Sequence, residues 1–130
     1  MIVNRTLLAG VAPIPAHDGT RGAYDTHVRL SRDGTSLHAD ATDGHLAVRI
    51  IDRTPFAAED FPNPGDLTPP HPGPILVPVN IVKDAIKAIS ARPTLPILGC
   101  CYLGTNGDGG GGFLVTTDLD TPRTTRIKAW

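Results

Sequence analysis

The residues best suited to chemistry in this 130-residue chain lie in one short run, HADATDGHLAVRI, at positions 38–50. Two histidines and two aspartates, His38, Asp40, Asp43 and His45, fall there within eight positions. Such a set could bind a metal ion or transfer protons during hydrolysis, because imidazole and carboxylate groups do both. Whether the four side chains can act together depends on the local structure that holds them.

An Asp-Gly pair at positions 43–44 separates two alternating runs, which predicts a two-residue hairpin turn. That turn would pair Thr42 with His45. One face of the hairpin would then be apolar, and the other would be polar, with a modest attraction between Asp40 and Arg49. The run is therefore interpreted as a half-buried hairpin with a solvated face.

The predicted register weighs against a metal centre. His38 and His45 would share a face but lie about 13 Å apart, at roughly 3.3 Å per residue. One ion with bonds of about 2.1 Å cannot bind both. The sequence also lacks a nucleophile–base signature such as G-x-S-x-G. We therefore predict no enzymatic activity, no metal and no other cofactor, and keep a small metal-dependent hydrolase using His38, Asp40, Asp43 and His45 as a lesser alternative.

Composition narrows the class of protein. Lys and Arg number 12 against 13 Asp and Glu, so the net charge of −1 argues against a wholly basic surface but allows a local basic face. With 14 Gly and 13 Pro, the chain has the turn residues typical of many short strands. Adjacent Cys100 and Cys101 in an apolar run are predicted to be reduced and buried. A signal peptide and a membrane span are not expected, which predicts a cytoplasmic location.

Periodicity predicts an α+β fold in one domain over residues 1–130. Helices are expected over 2–11 and 81–91, the second capped by Asn80. An exposed Pro/Gly-rich loop is expected over 54–73. The pattern indicates two pseudo-symmetric halves, each a helix plus a three-stranded meander, with the helices on one face of antiparallel sheets. Strands are expected over 26–32, 37–42, 45–52, 74–78, 97–103, 113–117 and 124–129.

Three segments together resemble one domain of the bacterial DNA polymerase III β sliding clamps, most closely the middle domain. Residues 41–47, ATDGHLA, resemble the clamp motif ATDGHRLA without its arginine. Residues 16–21, AHDGTR, look like the A-x-D-x-T-R that precedes the same meander. Residues 75–89 are similar to the clamp strand and helix V-I-V-P-R-K…E-L…L-L. The resemblance implies a DNA-clamp-like domain whose helices face duplex DNA.

The same resemblance implies two kinds of site. In the clamps, the T-D-G-H-R-L segment lines part of a pocket for short peptides of polymerases and the clamp loader, which maps to Thr42, Gly44, His45 and Leu46. The helical face would contact phosphates through basic residues, here Arg5, Lys83, Lys87 and Arg92. The implied partners are duplex DNA, held weakly and in a salt-sensitive way, or DNA-replication proteins.

Two non-enzymatic functions follow and remain open. A bacterial clamp ring contains six such domains, so this chain would form a homo-oligomeric ring around DNA, acting as a replication or repair accessory. Alternatively, it would be a clamp-like adaptor or decoy that binds protein partners and never encircles DNA. The mass in solution separates them.

Overall fold

A computed structural model describes residues 1–15, 23–61, 65, 67, 74–105, 111–116 and 122–127. The chain forms two four-stranded antiparallel sheets and two main helices, which confirms the predicted α+β class. The helices are α1 (Arg5–Val11), the single turn α2 (Ala23–Thr26) and α3 (Val79–Ala88). The strands are β1 (Ile2–Asn4), β2 (His27–Asp33), β3 (Ser36–Thr42), β4 (Ala47–Asp52), β5 (Ile75–Pro78), β6 (Cys100–Thr105), β7 (Gly111–Thr116) and β8 (Pro122–Ile127).

Each half of the chain donates its first strand to the sheet of the other half. The first sheet has the order β1-β6-β7-β8, and the second has the order β4-β3-β2-β5. The chain therefore contains two strand–helix–meander units, β1-α1-β2-β3-β4 and β5-α3-β6-β7-β8, with their leading strands exchanged. This exchange ties the predicted pseudo-symmetric halves into one body.

The core lies between the sheets and the helices. Helix α1 packs on β3 and β4, helix α3 contacts β7 and β8, and the two helices contact each other. Strand alternation supplies the sheet side of this core, because every second residue of β2 and β3 is buried. Fully buried core residues include Leu8, Val11, Val28, Leu30, Val77, Val82, Leu103 and Phe113.

The N-terminal helix starts later than the sequence predicts. Ile2–Asn4 form β1 and pair with β6, so the predicted helix over 2–11 is wrong for its first three residues. Asn4 ends the strand and caps α1, since its Oδ1 accepts a hydrogen bond from Leu7 N at 2.6 Å. The apolar residue at position 3 serves a strand that pairs with a distant partner, which local periodicity does not reveal.

Helix α3 begins and ends earlier than predicted. It covers Val79–Ala88, because β5 runs directly into it at Pro78, whose ring fixes a φ that suits a helix start. Asn80 therefore lies inside the first turn and does not cap the helix. The backbone of Ile89 is extended and its side chain is buried, so the helix stops before the predicted end at 91.

Part of the predicted exposed loop over 54–73 is buried. Phe61 is 3% exposed and Leu67 is 8% exposed, and both pack on the outer face of the first sheet. There the ring of Phe61 lies 5.4 Å from the ring of Tyr102. The prediction was wrong at these residues, because apolar side chains of the loop cover a sheet face that is also apolar. Residues 62–64, 66 and 68–73 lie outside the described part.

The cysteine prediction is confirmed. Cys100 and Cys101 are free thiols, and both are buried in β6. None of the helices that the structure describes has the length and hydrophobicity that crossing a bilayer requires. The A-x-D-x-T-R-like segment at 16–21 lies outside the described residues.

Candidate functional site

The β3–β4 hairpin has a wider loop than the sequence predicts. Thr42 pairs with Ala47 and Asp40 pairs with Arg49, so residues 43–46 form a four-residue loop. The predicted two-residue turn, with Thr42 opposite His45, was wrong. The partner strand is displaced by two residues, and a displacement of two keeps each side chain on its own face. The predicted sorting of apolar and polar residues along the paired strands therefore survives the change of register.

Side chains within the loop explain why it stays open. The Asp43 carboxylate accepts hydrogen bonds from the backbone N–H groups of His45 and Leu46, both at 2.8 Å. The Thr42 hydroxyl donates to Leu46 O at 2.7 Å and accepts from Gly44 N at 3.1 Å. Gly44 has a φ of 92°, which favours glycine. These bonds satisfy backbone groups that a tighter turn would pair across the strands.

A row of four residues crosses the outer face of the second sheet, the face directed away from the core. Leu76 pairs with Arg29, Arg29 pairs with Asp40, and Asp40 pairs with Arg49. Paired residues point to the same side of a sheet, so these side chains are neighbours. Asp40 accepts from Arg29 Nη1 at 2.7 Å and from Arg49 Nε and Nη2 at 2.6 and 3.0 Å.

A groove of about 310 Å³ opens on this face beside the row. Its floor is low where the short side chains of Thr42 and Ala47 face each other, between longer neighbours. The lining is mostly apolar in area, although two arginines and one aspartate stand at its wall. The groove is lined by His27, Arg29, Asp40, Ala41, Thr42, Ala47, Val48, Arg49 and Leu76.

The carboxylates near the groove are poorly suited to acid–base catalysis. Hydrogen bonds from Arg49 and then Arg29, opposed by partial burial, lower the pKa of Asp40 below its usual value. Backbone hydrogen bonds from His45 and Leu46 lower the pKa of Asp43. A general base that works near neutral pH needs a raised carboxylate pKa. Both shifts run in the opposite direction.

The four residues of the hydrolase alternative do not converge on one point. His38 lies on the outer face of β3 opposite Ile51, whereas His45 is exposed in the loop. Asp40 is held by two arginines and Asp43 by loop amides. Among the residues that the structure describes, no group of three or more His, Cys, Asp or Glu side chains could hold a metal ion. The geometry thus gives this alternative no support.

The residues predicted to bind partners divide between the groove and the loop tip. Thr42 lines the groove. Gly44 and His45 are exposed in the loop, and Leu46 is an exposed apolar residue at 52%. Sequence reasoning missed His27, Arg29 and Leu76 as lining residues. Alternation placed Arg29 on a polar strand face, but only the β2–β5 pairing reveals its neighbour Leu76.

The predicted DNA-binding residues lie on and around the helical surface. Arg5 is half-buried and its Nε donates to Ile86 O at 3.1 Å, so it joins α1 to α3. Lys83 is half-buried, and Lys87 and Arg92 are exposed. The exposed Asp84 lies beside the two lysines on α3 and offsets part of their charge. The structure brings Arg5 to α3, while Arg92 lies beyond the end of that helix.

Comparison with solved structures identifies the architecture. The DNA polymerase III subunit beta of Pseudomonas aeruginosa superimposes with a TM-score of 0.62 over 100% of this chain, at 14% sequence identity. The fold is that of one sliding-clamp domain. The beta subunit of Streptococcus pyogenes gives a TM-score of 0.59 at 10% identity, over 98% of this chain. The sliding clamp of Bartonella birtlesii, solved with bound griselimycin, gives 0.60 at 14% identity, also over 98%.

The likeness to the clamps is one of fold. The chain spans 31%, 29% and 31% of the length of these three clamp subunits. No protein-family model and no curated protein sequence matches it. The predicted resemblance is confirmed in the arrangement of helices and sheets, at sequence identities between 10% and 16% among the clamps compared.

Proposed function

We propose that this protein is a non-enzymatic, sliding-clamp-like accessory of DNA replication or repair, which forms a homo-oligomeric ring around duplex DNA. The observation that carries the proposal is the fold itself, which matches a clamp domain over the whole chain. Sliding clamps act by surrounding and tethering, so low sequence identity and the absence of a catalytic constellation among the described residues agree with such a role. A cytoplasmic location fits this role and stays a prediction.

Open sheet edges support self-assembly. Strand β4 is an edge of one sheet and β8 is an edge of the other, and each is six residues long. An edge strand presents unpaired backbone groups that can pair with another chain. A contact between β4 of one copy and β8 of the next would repeat head to tail and close into a ring.

The helical surface would face the enclosed DNA through Arg5, Lys83, Lys87 and Arg92. Few basic groups, with Asp84 among them, would give weak binding that falls steeply with salt concentration. Weak contact suits a ring, since enclosure retains the DNA while allowing the protein to slide. The proposed ring is thus compatible with a net charge of −1.

Light scattering after size-exclusion chromatography tests the ring. Six copies of the 13.7 kDa chain give about 82 kDa. A ring should also stay on closed circular DNA at salt concentrations that abolish ordinary binding, and leave once the circle is cut. A strict monomer at high protein concentration, with no difference between circular and linear DNA, would refute it.

The groove favours a second candidate, a clamp-like adaptor or decoy that binds protein partners without surrounding DNA. In this case Thr42 at the groove and Gly44, His45 and Leu46 at the loop tip would contact a short peptide segment. A monomeric mass, no DNA retention at low salt, and saturable binding of a peptide would select the adaptor. In the ring, the same groove would hold partner proteins while the helices face DNA.

A further inference from the structure

We propose that the groove on the second sheet selects an extended peptide in which an acidic residue stands two positions from a large apolar residue. The inference rests on the proposed docking role of the groove and adds the chemistry of its ligand. Three observations carry it: the charge of the Arg29–Asp40–Arg49 cluster, the low floor at Thr42 and Ala47, and the spacing between them.

The charge of the cluster is complementary to one carboxylate. Two guanidinium groups face a single internal carboxylate, which leaves one net positive charge at the wall of the groove. The side chains of Arg29 and Arg49 are 36% and 53% exposed, so a ligand can reach both. Asp40 contacts one nitrogen of Arg29 and two of Arg49, and each guanidinium carries further N–H donors.

The same cluster disfavours polyanions. Asp40 lies between the two arginines, so a phosphate chain over the cluster would meet a negative charge at its centre. Nucleic acid is better served by rows of cations without an interposed carboxylate. A single carboxylate can approach either arginine from the open side, which favours a peptide as the ligand.

The floor of the groove fits an apolar side chain. Thr42 and Ala47 are short and face each other, whereas the surrounding His27, Leu76 and arginine side chains are longer. The resulting depression of about 310 Å³ is at the small end of ligand pockets, so it suits a short peptide segment.

The spacing follows from the geometry of strands. Asp40 and Thr42 are two residues apart on β3, as are Ala47 and Arg49 on β4, so the charged row and the low floor lie roughly 7 Å apart. An extended peptide repeats its side chains on one face at the same interval of about 7 Å. An acid over the arginines therefore places the second residue along the peptide over Thr42 and Ala47.

A library of acetylated and amidated hexapeptides, displayed against the immobilised full chain, tests the ligand class. The expected result is enrichment of Asp or Glu two positions from Leu, Ile, Met or Phe. Enrichment of basic or purely apolar peptides, or no bound peptide at all, would overturn the inference.

Titration of a matched peptide pair measures the contribution of charge. Replacing the acid of the best peptide by its amide should weaken binding to the unaltered protein about tenfold, as for loss of a charge-assisted hydrogen bond. In Arg49→Gln the two peptides should differ by less than about threefold, by the same reasoning. Arg53→Gln removes an exposed arginine that does not line the groove, so it should keep the full preference.

Equal affinity of the unaltered protein for both peptides would refute the inference, and this comparison requires no variant to fold. Mass and retention on circular DNA, measured on the same samples, report separately on the ring. A monomer that prefers the acidic peptide loses the ring and keeps the inference. A ring without that preference does the reverse.

Discussion

Asp40 faces Arg49 directly across the β3–β4 pair, and its carboxylate accepts two hydrogen bonds from that guanidinium group, at 2.6 and 3.0 Å. A bidentate pair of this kind requires both residues to stand in one register, so it opposes a slip of the hairpin. Arg29 contacts the same carboxylate from the other side. One aspartate thus connects three strands on the surface that also forms the groove.

The Asp40 cluster should make stability depend on pH in the acid range. Asp40→Asn is expected to lower the free energy of unfolding by about 1 kcal/mol at pH 7, a modest loss because water screens both arginines. The folded-state pKa of Asp40 is lowered from 3.8, so its contribution is present above that value and is lost as pH falls through the folded pKa. Urea unfolding at pH 7 and near pH 3 measures the effect.

The control for this prediction is Asp84→Asn, which alters an exposed aspartate of α3. It should leave the free energy of unfolding nearly unchanged at both pH values. A constant difference between Asp40→Asn and the unaltered protein from pH 7 down to pH 2 would contradict the assigned role of Asp40.

Asp43 is expected to protect two backbone amides of the loop. In Asp43→Ala the amide hydrogens of His45 and Leu46 should exchange with solvent several-fold faster, because their acceptor is gone. Asp43→Asn keeps a side-chain oxygen at the same place and should retain most of the protection. Hydrogen exchange followed by NMR gives the rates. Equal exchange in all three proteins would show that the loop opens without this contact.

Phe61 should stabilise the whole fold from within the long connection after β4. Phe61→Ala is expected to lower the free energy of unfolding by about 3 kcal/mol, the cost of removing a buried aromatic ring. Chemical denaturation measures it, and Leu95→Ala, at a side chain 46% exposed, should cost less than about 0.5 kcal/mol. A loss at Phe61 no larger than at Leu95 would mean that the loop does not cover the sheet in solution.

Both cysteines should be unreactive in the folded protein. Burial raises the pKa of Cys100 to about 11 and raises the pKa of the fully enclosed Cys101 as well. At pH 8 the thiols are therefore protonated and shielded, and Ellman's reagent should label neither within minutes. Unfolding in guanidinium chloride should release two reactive thiols per chain. Rapid labelling of the native protein would be evidence against the buried position of β6.

The sequence was most informative where a local pattern decides the structure. Alternation at Val28 and Leu30 gave the inner face of β2, and the stripe on α3 gave its buried side. The errors arose where a distant contact decides. Ile2 and Val3 form a strand because β6 is available to pair with them, and Phe61 is buried because Tyr102 lies beneath it.

The candidate site shows the same division. The motif at 41–47 pointed to the correct hairpin, but its register depended on side-chain bonds of Thr42 and Asp43 that an Asp-Gly rule omits. Arg29 and Leu76 come from strands 47 residues apart in the chain, and they meet only because β2 pairs with β5. Periodicity gives the face of a residue, and the order of strands in the sheet decides its neighbours.

The exchange of leading strands has a consequence for how the chain folds during synthesis. Ile2 must wait for Tyr102 before β1 can pair, so the first sheet cannot close until most of the polypeptide has left the ribosome. The second sheet gains its last strand only at β5. Such long-range pairing predicts slow, all-or-none folding, in which neither half acquires a stable structure alone. Two separately produced halves should therefore remain unstructured until they are mixed.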